Sequence, residues 1–190
     1  MNLHSPIKRI VLLHGVGVND ASMRPLADQL GLGVAMHCSS GPQAFGMGLG
    51  RQWFSVKGAT EANQPARVAE ALPAFNGIIQ AFGDQRERLL IGFSQWAIMA
   101  LHAVAEGLPM PGVIALSGRL AGPIAARTGW PPMTLLHGTA DPVMPPDFAR
   151  STQAWLRSAG AEPQLHLFDG LGHAIDDRVL AAIRRTVAAD

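Results

Sequence analysis

Three short segments each set a chemically capable side chain among small or turn-forming neighbours: Gly92-Phe93-Ser94-Gln95-Trp96, His137-Gly138-Thr139-Ala140-Asp141-Pro142-Val143 and Asp169-Gly170-Leu171-Gly172-His173. A serine hydroxyl is a poor nucleophile until a neighbouring imidazole takes its proton. The imidazole in turn needs a carboxylate to hold its tautomer and stabilise its cation. Ser94, His173 and Asp141 can fill these roles, which predicts a catalytic triad for nucleophilic acyl chemistry. A base of this kind works only when neutral, so turnover is expected to fall on acidification through the reference imidazole range, about pH 6–7.

The serine segment nearly spells Gly-x-Ser-x-Gly, the turn that thrusts a nucleophile out of a strand-to-helix corner. Leu89-Leu90-Ile91 before it reads as a buried strand, and Ala97, Leu101, Val104, Ala105 and Leu108 after it recur at helical spacing. Trp96 stands where the motif wants glycine. The indole either walls a substrate pocket or packs as a structural helix residue.

Acyl chemistry also needs preorganised donors where charge develops on the carbonyl oxygen. Leu13-His14-Gly15-Val16-Gly17 follows the first apolar run, and its glycines let backbone approach a substrate closely. The N–H groups of Val16 and Gln95 are assigned to this oxyanion hole, Gln95 at a helix start where amides and dipole favour negative charge. No lysine follows in a Gly-Lys-Ser/Thr arrangement, which argues against a phosphate-binding loop. His14, His137, His166 and His173 lack close ligand spacing, so no metal is expected, and His14 and His137 read as structural.

These segments must be positioned by an α/β sheet. Short apolar runs at Ile10–Leu13, Val34–Met36, Arg88–Ile91, Val113–Leu116, Met133–Leu136 and Gln164–Phe168 alternate with helical stretches. Helices between nearly all strands predict a mostly parallel sheet with helices on both faces and chemistry at the carboxyl ends of the strands. The first helix is expected to start at Asn19 or Asp20 as cap, to bury Met23, Leu26, Ala27 and Leu30, and to end at Gly31. A second, from about Glu61 to Phe82, stripes Val68, Leu72, Phe75, Ile79 and Phe82 along one face, with a kink or break expected at Pro73. Phe148, Thr152, Trp155, Leu156 and Ala159 mark another helix, and Val179, Leu180, Ile183 and Val187 the last.

The 190 residues, 48% hydrophobic, suffice for one domain with one sizeable core. A formal net charge of +1 with 15 scattered basic residues gives no footprint for nucleic acid. Cys38 is the single cysteine, and Ile10–Leu13 is too short for a signal core or membrane span, so a cytoplasmic protein is expected. The glycine-rich region 39–58 lacks periodicity and reads as a long loop or lid.

The chain resembles the carboxylesterase/phospholipase family of α/β-hydrolases, the group that includes the acyl-protein thioesterases. The resemblance rests on Leu13-His14-Gly15-Val16-Gly17, Arg51-Gln52-Trp53-Phe54, Gly92-Phe93-Ser94-Gln95, His137-Gly138 with Asp141-Pro142-Val143 and Pro145, and Gly172-His173. Ser, then Asp, then His is also the chain order of α/β-hydrolase triads. The resemblance implies hydrolysis of carboxylic esters or thioesters through a metal-free acyl-enzyme route; the substrate is expected to be modest in size and largely apolar, and no cofactor is expected. Trp53, Phe54, Trp96, Met47 and Met144 are the candidate substrate-binding residues; Trp53 and Phe54 could equally anchor the loop to the core. The competing readings are a thioesterase or acyltransferase with the same triad, or an idle hydrolase fold used for ligand binding, the last motivated by Trp96.

Overall fold

The computed structural model describes residues 7–188. Six strands form one sheet in the order β2-β1-β5-β6-β7-β8: β1 Arg9–Leu13, β2 Ala35–Ser39, β5 Arg88–Phe93, β6 Gly112–Leu116, β7 Met133–Gly138 and β8 Gln164–Phe168. Every pairing in it is parallel. Parallel strands covered on both faces need no polar side, and accordingly every residue of β6 and β7 is buried.

One face carries α2 (Gln64–Gln80), α3 (Gln95–Ala105) and α4 (Pro146–Ser158), packed on Val11, Leu13, Leu90, Val113 and Ala115. The other carries α1 (Arg24–Leu30) and α5 (Asp177–Ala188), packed on Ile10, Leu12, Leu89, Ile91 and Leu116. The period of two along each strand therefore divides the core into two layers. Region 39–58 is not plain loop: β3 (Gln43–Ala44) and β4 (Arg51–Gln52) pair as a short antiparallel hairpin.

Three helices differ from expectation. Asp20–Met23 is a 3-10 turn, and α1 begins at Arg24 without a side-chain cap. Pro25 explains the start: proline fits the first helical turn, where its missing N–H costs nothing. Leu26 and Ala27 are only half-buried, while Gly31 closes α1 in the left-handed conformation with its N–H on the Ala27 carbonyl. α2 runs unbroken through Pro73, because the burial of Val68, Ala71, Leu72, Phe75 and Ile79 outweighs a local cost of about 3 kcal/mol. α3 is buried almost all round, so no amphipathic stripe describes it, and Leu108 lies beyond its end.

His102 in α3 accepts the Ala121 N–H at Nε2 (2.8 Å), which fixes its proton on Nδ1. Burial lowers its pKa to about 4 from the ordinary 6.5. The unfolded chain thus binds a proton that the fold refuses, and stability present above pH 6.5 is lost as pH falls toward 4. A shift of this size corresponds to roughly 3 kcal/mol. Urea midpoints measured from pH 7.5 to 4.5 should fall, and His102→Gln, whose amide oxygen can take the same bond, should flatten that slope; an unchanged slope refutes the assignment.

Candidate active site

The carboxyl ends of β1, β5, β7 and β8 bring the chemically capable segments together. Ser94 joins β5 to α3 at φ 57° and ψ −121°, a left-handed backbone that non-glycine residues rarely adopt. It stands at the N-cap of α3, yet its side chain makes no capping bond, so the blander role for this serine is unused. Its N–H is held by the Leu116 carbonyl (2.8 Å).

The sharp turn depends on close backbone contact. A Cβ at Gly92 would stand 2.9 Å from Ala97 N, and one at Gly118 would collide with Ala97 and come 3.2 Å from the Ser94 carbonyl. The motif's first glycine is therefore required for space. Gly118, after β6, is a second contact residue of the elbow that the sequence reading missed; only the Ser117-Gly118 dipeptide at a strand end could have signalled it.

On the other flank, Gly15 packs against the serine, since an added Cβ would lie 3.3 Å from Ser94 Cβ. The β1 loop that holds Val16 thus runs beside the elbow, and Gly17 N–H donates to the Arg51 carbonyl (3.1 Å), tying the loop to the hairpin. Gln95 opens α3, where an N–H has no intrahelical acceptor. Among the described residues, neither the Val16 nor the Gln95 N–H donates to a carbonyl. The Gln95 side chain is tied to the segment that follows the hairpin: Oε1 accepts the Trp53 N–H (2.7 Å) and Nε2 donates to the Phe54 carbonyl (2.9 Å).

The loops after β7 and β8 are locked to each other. Thr139 and Ala140 donate backbone N–H groups to the Phe168 and Leu171 carbonyls, each at 2.9 Å. No side chain fits at Gly138, where a Cβ would overlap the Leu171 carbonyl. This brings His173 Nδ1 to 2.7 Å from Asp141 Oδ2. Asp141 Oδ1 accepts the N–H groups of Val143 (2.9 Å) and Met144 (2.8 Å). Burial alone would push the Asp141 carboxyl up, but those amides and His173 together hold it below the usual carboxylate range. Asp141 is therefore an anion at neutral pH, oriented by its own turn and aimed at His173. The imidazole packs on Phe93, the residue before Ser94, with ring centroids 4.8 Å apart. His137 has a structural partner, Nε2 lying 2.7 Å from the Met144 carbonyl.

The candidate substrate residues are placed unevenly. Trp96 is 0% exposed, packed against Trp53 (4.5 Å), His14 (5.5 Å) and Phe75 (5.8 Å). Trp53 and Phe54 are buried with it, and Gln95 clasps them, so the anchoring alternative describes these three better than a pocket wall. Met47 differs from the expectation of a pocket residue: it projects fully into solvent from the hairpin tip. Met144 is half-buried in the Asp141 turn. A cleft of about 700 Å³, with Met110, Arg127, Trp130 and Met133 in its walls, opens at the amino ends of β6–β8, the opposite end of the sheet from Ser94.

Among the described residues no helix is long and apolar enough to cross a membrane. Residues 4–189 match the phospholipase/carboxylesterase family model. The esterase YpfH of Escherichia coli K12 is 38% identical over 184 residues, covering 91% of this chain and 79% of that protein. The crystal structure of esterase PE8 superposes with a TM-score of 0.85 at 25% identity, covering 97% of this chain and 93% of PE8. The Bacillus cereus carboxylesterase gives 0.81 at 16% identity, covering 99% and 90% of the two chains. With a family model spanning nearly its whole length and an esterase relative at this identity, the chain belongs to the phospholipase/carboxylesterase family of α/β-hydrolases and is an ester-hydrolysing enzyme.

Proposed function

We propose that the enzyme is a serine carboxylesterase in which Ser94, His173 and Asp141 form the triad and the N–H groups of Val16 and Gln95 form the oxyanion hole. One observation carries the reading: a buried, ionised Asp141 bonded to His173, whose ring packs on the residue before a serine with no capping bond. Ser94 Oγ attacks the ester carbonyl as His173 Nε2 takes its proton. The carbonyl oxygen becomes an oxyanion facing the two amides. Collapse expels the alkoxide, which leaves as alcohol with the proton from His173. Water, deprotonated by His173, then attacks the acyl-enzyme, and the acid departs as Ser94 recovers its proton. Asp141 holds Nδ1–H throughout and stabilises the imidazolium without itself accepting the proton.

The idle-fold alternative loses its motive, because Trp96 is accommodated in the core and leaves the elbow geometry in place. A fluorophosphonate probe tests the assignment: stoichiometric labelling of the native protein at Ser94, mapped by peptide mass spectrometry, is expected. Labelling elsewhere, or none, overturns it. Esters of modest size are the expected substrates, and a chromogenic panel varying acyl length reports pocket depth.

A further inference from the structure

Two arginines are buried at opposite ends of the same layer, and their surroundings differ. Arg88, at the amino end of β5, donates to the carbonyls of Ile79, Gly83 and Asp84, where α2 ends. A cation at a helix C-terminus, with its N–H groups on backbone carbonyls, is at rest. Arg119 has the opposite setting. It is 7% exposed and follows Gly118, the glycine pressed against the Ser94 elbow, so its Cα is one residue from that contact.

Among the described residues the only acceptor on its guanidinium is a neutral amide: Nη2 donates to Gln64 Oε1. Its Nε–H is buried with no acceptor, and the group stacks on the Phe148 ring with Cζ 3.9 Å from the centroid. Among the described residues no carboxylate forms an ion pair with it; Glu61 is exposed and acts only from a distance. Gln64 and Phe148 lie in the first turns of α2 and α4, so the cation is held by side chains from the amino ends of two helices. A buried cation with no carboxylate in contact is costly unless an anion completes it.

Its side of the sheet is informative. His173, which hands the proton to the departing alcohol, packs on Phe93 in the layer of α1 and α5. Arg119 is fixed between α2 and α4, in the opposite layer. An alcohol standing beside its proton donor, His173, would leave the acyl group toward the Arg119 side of the sheet.

We propose that Arg119 is a specificity-determining residue that binds an anionic group, a carboxylate in the first instance, on the acyl part of the substrate, so that the preferred substrates are monoesters of short dicarboxylic acids. The inference rests on Ser94 as nucleophile. The expected, largely apolar substrate thereby gains one charge.

Matched esters differing only in that charge provide the test: mono-4-nitrophenyl succinate, glutarate and adipate against 4-nitrophenyl butyrate, pentanoate and hexanoate. For the best-fitting length, kcat/KM of the wild-type enzyme should favour the anionic ester by about tenfold or more, and Arg119→Gln should collapse that ratio toward or below one. A wild-type enzyme with no anionic preference at any length, or an Arg119→Gln variant that lowers both members of each pair equally, overturns the proposal while leaving the triad standing. No turnover of either ester overturns both. Should the variant fail to fold, the wild-type enzyme still decides: glutarate should inhibit pentanoate-ester hydrolysis competitively and at lower concentration than pentanoate does, and equal inhibition refutes the assignment.

Discussion

Ser94→Ala is expected to lower kcat by a factor on the order of 10⁴–10⁶, to the residual rate that binding and oxyanion donors alone sustain. The hydroxyl is the only atom lost, and it makes no capping bond, so the thermal midpoint should stay within about 1 °C of the parent. A companion variant separates chemistry from backbone strain. Ser94→Gly should be equally inactive, yet more stable than Ser94→Ala by roughly 1 kcal/mol, because glycine adopts φ 57° without the penalty that alanine inherits. Initial rates on a chromogenic ester and melting curves check both. Retained turnover in either variant removes Ser94 from the mechanism.

Trp96→Ala should be among the most destabilising single substitutions in this chain, at about 3–5 kcal/mol. The indole is fully buried and touches the rings of Trp53, Phe75 and His14, so its removal opens a cavity that three bulky neighbours cannot close. For a chain of this size the thermal midpoint should fall by roughly 10–15 °C. Trp96→Phe should cost far less, because the indole N–H meets no acceptor and a ring is kept in the cluster. If Trp96 were instead a pocket wall, Trp96→Ala would raise turnover of bulky esters at little cost in stability. Met47→Ala, at the exposed hairpin tip, serves as the silent control in both assays.

The parts legible in the sequence were those with strong local signals. The strands announce themselves as short apolar runs alternating with helical stretches, and the segments bearing Ser94, Asp141 and His173 sit at strand ends because parallel sheets with covered faces leave room for loops there. What escaped was set by partners far along the chain. Pro73 reads as a break locally, but the stripe from Val68 to Ile79 holds the helix through it. Asp20 has the chemistry of a cap, while Pro25 decides where the helix begins. Trp96 looks like damage to a motif until Trp53 and Phe75, from a loop and another helix, are brought around it. A lone arginine in a loop carries no pattern at all, and Arg119 becomes conspicuous only once side chains from the amino ends of α2 and α4 are brought to it.

One residue, Gln95, serves two structures at once. Its amide is proposed to face the reacting carbonyl oxygen, and its side chain grips Trp53 and Phe54, more than forty positions upstream. The segment that follows the hairpin and the start of α3 are consequently one mechanical part. Damage to the segment should be felt as slower chemistry before it is felt as weaker binding, and sequence change there is free to tune rate without touching any atom of the triad.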